Sequence, residues 1–135
     1  MRPLIATLVA AAAIAVIPGV STAKERLAPE DQLAKLLEGR VAGEPQNCIP
    51  LSSVNGSQII EKTAIVYRVG STMWVNRPKG GAESLDDDDI LVTKTTGSQL
   101  CSIDPVELRD RTSRMYSGFV SLGEFVPYRR AKKAE

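Results

Sequence analysis

The stretch that decides the fold is TAIVYRVGSTMWVNR, residues 63–77. Two β-rich runs flank Gly70-Ser71, a pair that suits a type II′ hairpin turn, where glycine takes the positive φ of the first central position. A two-residue turn fixes the register, so Val69 faces Thr72, Tyr67 faces Trp74 and Val66 faces Val75. One face of the hairpin then carries Ile65, Tyr67, Val69, Thr72, Trp74 and Asn76. The other carries Ala64, Val66, Arg68, Met73 and Val75. Both faces are substantially apolar, which predicts cover on both sides rather than a single sheet open to water.

Upstream, LSSVNGSQII offers Asn55-Gly56, a strong signal for a second hairpin turn. Before it, APEDQLAKLLEGR predicts one short helix: Pro29 fits the first helical position, Glu30 and Asp31 suit the positive end of the dipole, and Gly39 fits the stop. Leu33, Leu36 and Leu37 form its apolar stripe, and VAGEPQN follows as a linker. Downstream, RPKGGAES is a Gly/Pro loop closed by Asp86 to Asp89, and a strand follows over residues 90–95. A turn at TTG leads into residues 98–103, Asp104-Pro105 marks a corner, and Val106 and Leu108 alternate with charges. DRTSRMYSG is polar and turn-like, FVSLGEFVPY is the last apolar segment, and Pro127 places its end at a sheet edge. The expected fold is therefore mostly β, a small antiparallel sandwich or barrel of about five to seven strands with one short N-terminal helix.

The N-terminus has the three-part layout of a secretory signal: a basic Met1-Arg2-Pro3, an apolar run from Leu4 to Ile17, and small residues at Ser21 and Ala23. The run is shorter than the roughly 20 residues a membrane span needs. The expected division is a signal peptide over 1–23, helix and linker over 24–46, a β domain over 47–128 and a basic tail over 129–135. Removing 23 of 135 residues leaves 112, enough for one small domain. Arg2 leaves with the signal, so 17 basic against 16 acidic residues become 16 against 16. A neutral chain exerts no general pull on nucleic acid, and none is expected as a partner. Arg129, Arg130, Lys132 and Lys133 form a local basic patch that suits weak contact with an anionic envelope surface.

Two cysteines, Cys48 and Cys101, suit a disulfide in an oxidising compartment. The loop of about 54 residues corresponds to about 4 kcal/mol in the chain-entropy model. The chain has no histidine. That removes Ser-His and Cys-His nucleophilic sites, His-ligated zinc and imidazole acid/base chemistry. Carboxylate chemistry is left, with Glu61, Asp104, Glu107 and Glu124 as candidates in contexts that read equally well as exposed. Asp86 and Asp88 are the candidate ligands for a hard cation such as calcium. On an extended chain, consecutive aspartates point to alternate sides and at most two converge, so a solvated lead into the next strand is the competing reading. Tyr67 and Trp74 offer a stacking platform for a flat ligand if their face is open; cross-strand aromatic pairs more often pack inside.

The strings NCIPL, AIVYRVGSTMWVNR, GSQLCSIDPV and SLGEFVPYRR, in that order after a signal peptide, resemble a family of small exported proteobacterial proteins of unknown function. The resemblance spans about residues 47–130. Members of that family often carry two further cysteines, at places that correspond to Ala82 and Val120 here. The resemblance thus implies loss of one whole disulfide and retention of Cys48–Cys101, and it implies a periplasmic address without carrying over any catalytic residue.

The expected function class is a non-enzymatic periplasmic or secreted protein, binding or envelope-associated, without a cofactor. The alternatives are a small carboxylate-dependent enzyme or enzyme inhibitor, and a structural envelope protein with no small ligand.

Overall fold

The computed structural model describes Gly19 and residues 25–133. Apart from Gly19, the segment read as a signal peptide lies outside the described residues.

The central hairpin forms as its sequence requires. Strands β4 (Ala64–Val69) and β5 (Thr72–Asn76) pair with Tyr67 opposite Trp74, Val66 opposite Val75 and Val69 opposite Thr72. Gly70 takes a φ of 58° at the turn. Around this hairpin, β1 (Arg40–Ala42), β10 (Phe125–Arg130) and β3 (Val54–Ile60) complete an antiparallel sheet of order β1-β10-β5-β4-β3. A second antiparallel sheet, of order β6-β8-β9, comprises β6 (Asp89–Thr93), β8 (Pro105–Asp110) and β9 (Tyr116–Ser121). The ribbon of β2 (Cys48–Pro50) and β7 (Gln99–Cys101) makes a third.

The architecture is a sandwich-like β fold and not a closed barrel, since the large sheet ends at β3 and the small one at β6. The described residues form ten strands, more than the expected five to seven, in part because β1 and β2 are three-residue segments too short for an alternation to show in sequence.

The two apolar faces of the hairpin serve two cores. Ile65, Tyr67 and Trp74 point between the sheets, where they meet Phe125 of β10, Val106 and Leu108 of β8, and Ile49 and Leu100 of the ribbon. Ala64, Val66 and Val75 point the other way, onto Leu33 of α1 (Pro29–Leu36). The helix starts at Pro29, carries Glu30 and Asp31 in its first turn, and gives way to Gly39 at a φ of 73°. Eight residues make too short a helix to stand alone. Burying Leu33 contributes roughly 1.5–3 kcal/mol to holding it down. Glu30 adds a bidentate pair with Arg77 just beyond β5, at 2.8 and 3.0 Å.

Four local expectations give way. Asn55-Gly56 does not turn the chain; it sits inside β3 at a register shift between Val54 and Gly56. The reversal comes later, at residues 61–63, where Lys62 has a φ of 53°. Pairing of residues 57–60 along β4 keeps Ile59 and Ile60 inside, and this outweighs the local turn preference. The linker after the helix contributes β1, and β10 continues through Arg130, so Arg129 and Arg130 belong to a strand and not to a tail. Pro127 lies in an interior strand. Its carbonyl accepts from Gly43 N at 2.7 Å, so its missing N–H faces the side where β1 has already ended at Ala42.

Candidate functional site

The most site-like cavity is a cleft of about 440 Å³ between the last strand of each sheet. Residues 57–59 of β3 form one wall and residues 89–91 of β6 the other, with Gln32 of α1, Asp87 and Arg111 around them. Asp89 is 6% exposed. Strand parity explains this: Leu91, two residues on, packs against the inter-sheet core, so Asp89 is drawn to the same side. One of its carboxylate oxygens accepts from Ser117 Oγ of β9 at 2.9 Å. Arg111 Nη2 lies 3.5 Å from the Asp89 backbone oxygen. The bulge in β9 between the partners of Leu108 and Arg109 is what leaves Ser117 free to reach across.

The rest of the aspartate run behaves differently from an extended chain. Asp89 N donates to Asp86 O at 3.1 Å, and Asp88 N donates to Asp86 Oδ1 at 2.9 Å, so the backbone turns here. As a result Asp86, Asp87 and Asp88 each bring a carboxylate oxygen within 4.8 Å of the others, where two at most were expected to converge. All three are exposed, and Asp87 pairs with Arg26 Nη1 at 3.1 Å. Arg26 also approaches Glu61, at 4.0 Å. Asp87 and Asp89 line the cleft, Asp86 and Asp88 lie beside Asp87, and Arg111 and Arg26 offset two of these four charges, so the cleft and its margin are net negative.

Tyr67 and Trp74 are opposite each other as the turn demands, but both are buried, at 4% and 7% exposure. Phe125 meets the Tyr67 ring edge-on at 5.9 Å, and the Arg129 guanidinium lies 5.9 Å from the centroid of the Trp74 ring. The second sheet covers this face, so the pair presents no open stacking platform. Neither the Tyr67 hydroxyl nor Trp74 Nε1 has a hydrogen-bond partner among the described residues. Burial pushes the Tyr67 phenol well above its ordinary value. Aromatic side chains that do reach the surface are Tyr116 and Phe119 on β9, 57% and 54% exposed.

The other candidates fall in separate places. Cys48 and Cys101 are disulfide-bonded, directly opposite in the β2–β7 ribbon. Asp104 accepts from Cys101 N at 2.8 Å, a local brace of that ribbon. Glu107 is held by Lys94 at 2.7 Å and Arg109 at 3.3 Å, and the Lys94 contact foremost lowers its pKa. Glu61 stands at the turn after β3, and Glu124 is exposed in the turn before β10. Lys132 and Lys133 are exposed beyond β10, whereas Arg129 is engaged over Trp74 and Arg130 pairs with Arg40 in the sheet register.

Sequence reasoning missed Asp89, Ser117, Arg111 and Gln58 as neighbours. The parity of Asp89 with Leu91 was the one available signal; the rest depends on how the two sheets meet. The chain matches no family model, no curated protein and no solved structure.

Proposed function

We propose that the chain is an exported, periplasmic or secreted, non-enzymatic binding protein whose ligand occupies the β3/β6 cleft. The ligand class is donor-rich, carrying amines or several hydroxyls. The observation that carries this reading is Asp89, a nearly buried carboxylate on the wall of an open, polar cleft. Ser117 engages only one of its oxygens, which leaves the other open to a donor in the cleft. Gln32, Ser57 and Gln58 add neutral hydrogen-bonding groups around it, and the negative rim favours a cationic or donor-rich guest. Glu61, Asp104 and Glu107 each have partners of their own on different segments, which supports binding over carboxylate catalysis. The signal-like N-terminus, the disulfide and the resemblance to exported proteins support the address. Among the described residues no helix is long and apolar enough to cross a membrane.

Titration of the isotopically labelled mature chain with polyamines, amino sugars and neutral monosaccharides tests the site. The amides of residues 57–59 and 89–91 should shift, and Asp89→Asn, which keeps an acceptor for Ser117, should weaken binding at least ten-fold. Shifts confined to other surfaces, or an unaffected Asp89→Asn, would overturn the assignment. For export, the protein recovered from cells should begin at Lys24; an intact N-terminus on a cytoplasmic product would defeat it.

A further inference from the structure

The walls of the cleft are unpaired strand edges. Among the described residues β3 hydrogen-bonds in a sheet only to β4, and β6 only to β8. Each strand therefore turns alternate backbone N–H and C=O groups away from its partner. Residues 57–59 and 89–91 line the same cleft, so one free edge from each sheet faces the same space.

Exposed edges are ordinarily blunted by lysine, proline or a bulge. The bulge of β3 disturbs only Val54 to Gly56, and residues 57–60 keep a regular register against β4. Ser57, Gln58 and Ile59 carry no charge and no proline, and on the facing wall Ile90 and Leu91 carry none either, Asp89 being the one charge there.

We infer that an extended segment of a partner polypeptide, bearing lysine or arginine at alternate positions, docks in this cleft by adding a strand. This rests on the cleft being the binding site. The charge of the rim selects the occupant. Asp86, Asp87 and Asp88 lie together at its margin, and Arg26 offsets only Asp87 directly. Alternate residues of an added strand project to one side, so basic groups two apart reach the aspartates while the backbone meets the edges. The three-residue walls correspond to about 10 Å of strand. A second copy is a poorer occupant, because its own free edges, residues 57–59 and 89–91, carry no basic residue.

The pentapeptide acetyl-Lys-Val-Lys-Val-Lys-amide is the probe, with the same peptide N-methylated at both valines as the control. Binding should slow hydrogen exchange of amides in residues 57–60 and 89–92 at least five-fold. N-methylation should weaken affinity at least ten-fold by removing backbone donors, and Asp87→Asn/Asp88→Asn should weaken it at least five-fold. Equal affinity of the N-methylated peptide would reduce the effect to charge adsorption on the aspartates and overturn the inference. A concentration-dependent dimer that protects the same amides without peptide would assign the edges to a second copy and overturn it as well. If amines or sugars shift residues 57–59 while the pentapeptide leaves exchange unchanged, strand addition fails and the small-ligand reading stands; if neither binds, both fail.

Discussion

Asn76 and Gly123, 47 residues apart, hold each other through two reciprocal hydrogen bonds: Asn76 Nδ2 donates to Gly123 O at 2.8 Å, and Gly123 N donates to Asn76 Oδ1 at 2.9 Å. Asn76 is fully buried at the end of β5, so its amide replaces the partner that a strand would otherwise supply to the turn before β10. Replacing it by leucine leaves a buried N–H and C=O unpaired, at about 1–3 kcal/mol each. Asn76→Leu should therefore lower unfolding free energy by about 3 kcal/mol in urea titration. Gly123→Ala should destabilise independently, because its Cβ would meet the Arg77 carbonyl oxygen. A loss below about 0.5 kcal/mol for Asn76→Leu would show that the pair does not brace the turn.

Tyr67 makes the opposite case, a buried hydroxyl with no partner. Tyr67→Phe removes the unpaired group while keeping the ring against Phe125, so stability at neutral pH should hold or rise by about 1 kcal/mol. The pH dependence has a definite sign. The folded phenol titrates far above the unfolded value of about 10. Above that pH the unfolded chain releases a proton that the folded chain retains, so folding weakens by about 1.4 kcal/mol per pH unit. Denaturation between pH 10 and 11.5 should show a steeper loss for the wild type than for Tyr67→Phe. Parallel curves would mean that Tyr67 ionises freely in the folded protein.

The disulfide joins residues 53 apart in sequence and aligns Ile49 opposite Leu100, both fully buried. Reduction should lower stability by about 4 kcal/mol in the chain-entropy picture. Intact mass should rise by about two daltons with reductant, with no reactive thiol beforehand. A chain whose unfolding midpoint ignores reductant would show that packing of Ile49 and Leu100 alone holds the ribbon.

These tests bear on features of unequal legibility. The β4–β5 hairpin, its register, the start and stop of α1 and the cysteine pairing follow from local rules: turn chemistry, capping and a count of two. Asn55-Gly56 misleads because its turn preference is local, while the bulge that absorbs it depends on pairing with β4. β1 and the end of β10 escape notice because Val41 and Arg129 find each other across the length of the chain. The aspartate run was visible, yet which carboxylate points inward depends on β6 lying beside β8 and on Ser117 arriving from β9. Pairings between distant strands leave little trace in a single sequence.

Trp74 is the only tryptophan, which makes its emission a direct report on the covered face of the hairpin. The ring is 7% exposed, and the Arg129 guanidinium closes its outer side from β10. That guanidinium also runs close to Gly43, where an added Cβ would come within 3.3 Å of Nη1. Emission should be blue-shifted relative to the urea-unfolded chain, with acrylamide quenching at least five-fold weaker. Arg129→Ala removes a cation–π contact of about 0.5–1 kcal/mol and uncovers one side of the ring. Its quenching should rise about two-fold with little change in emission maximum, because Tyr67, Phe125 and the second sheet stay in place. Arg129→Lys should restore part of the stability but less of the shielding, since an ammonium does not lie flat on an indole. Quenching in the native wild type as strong as in the unfolded chain would place Trp74 at the surface and reopen the Tyr67–Trp74 face as a ligand platform.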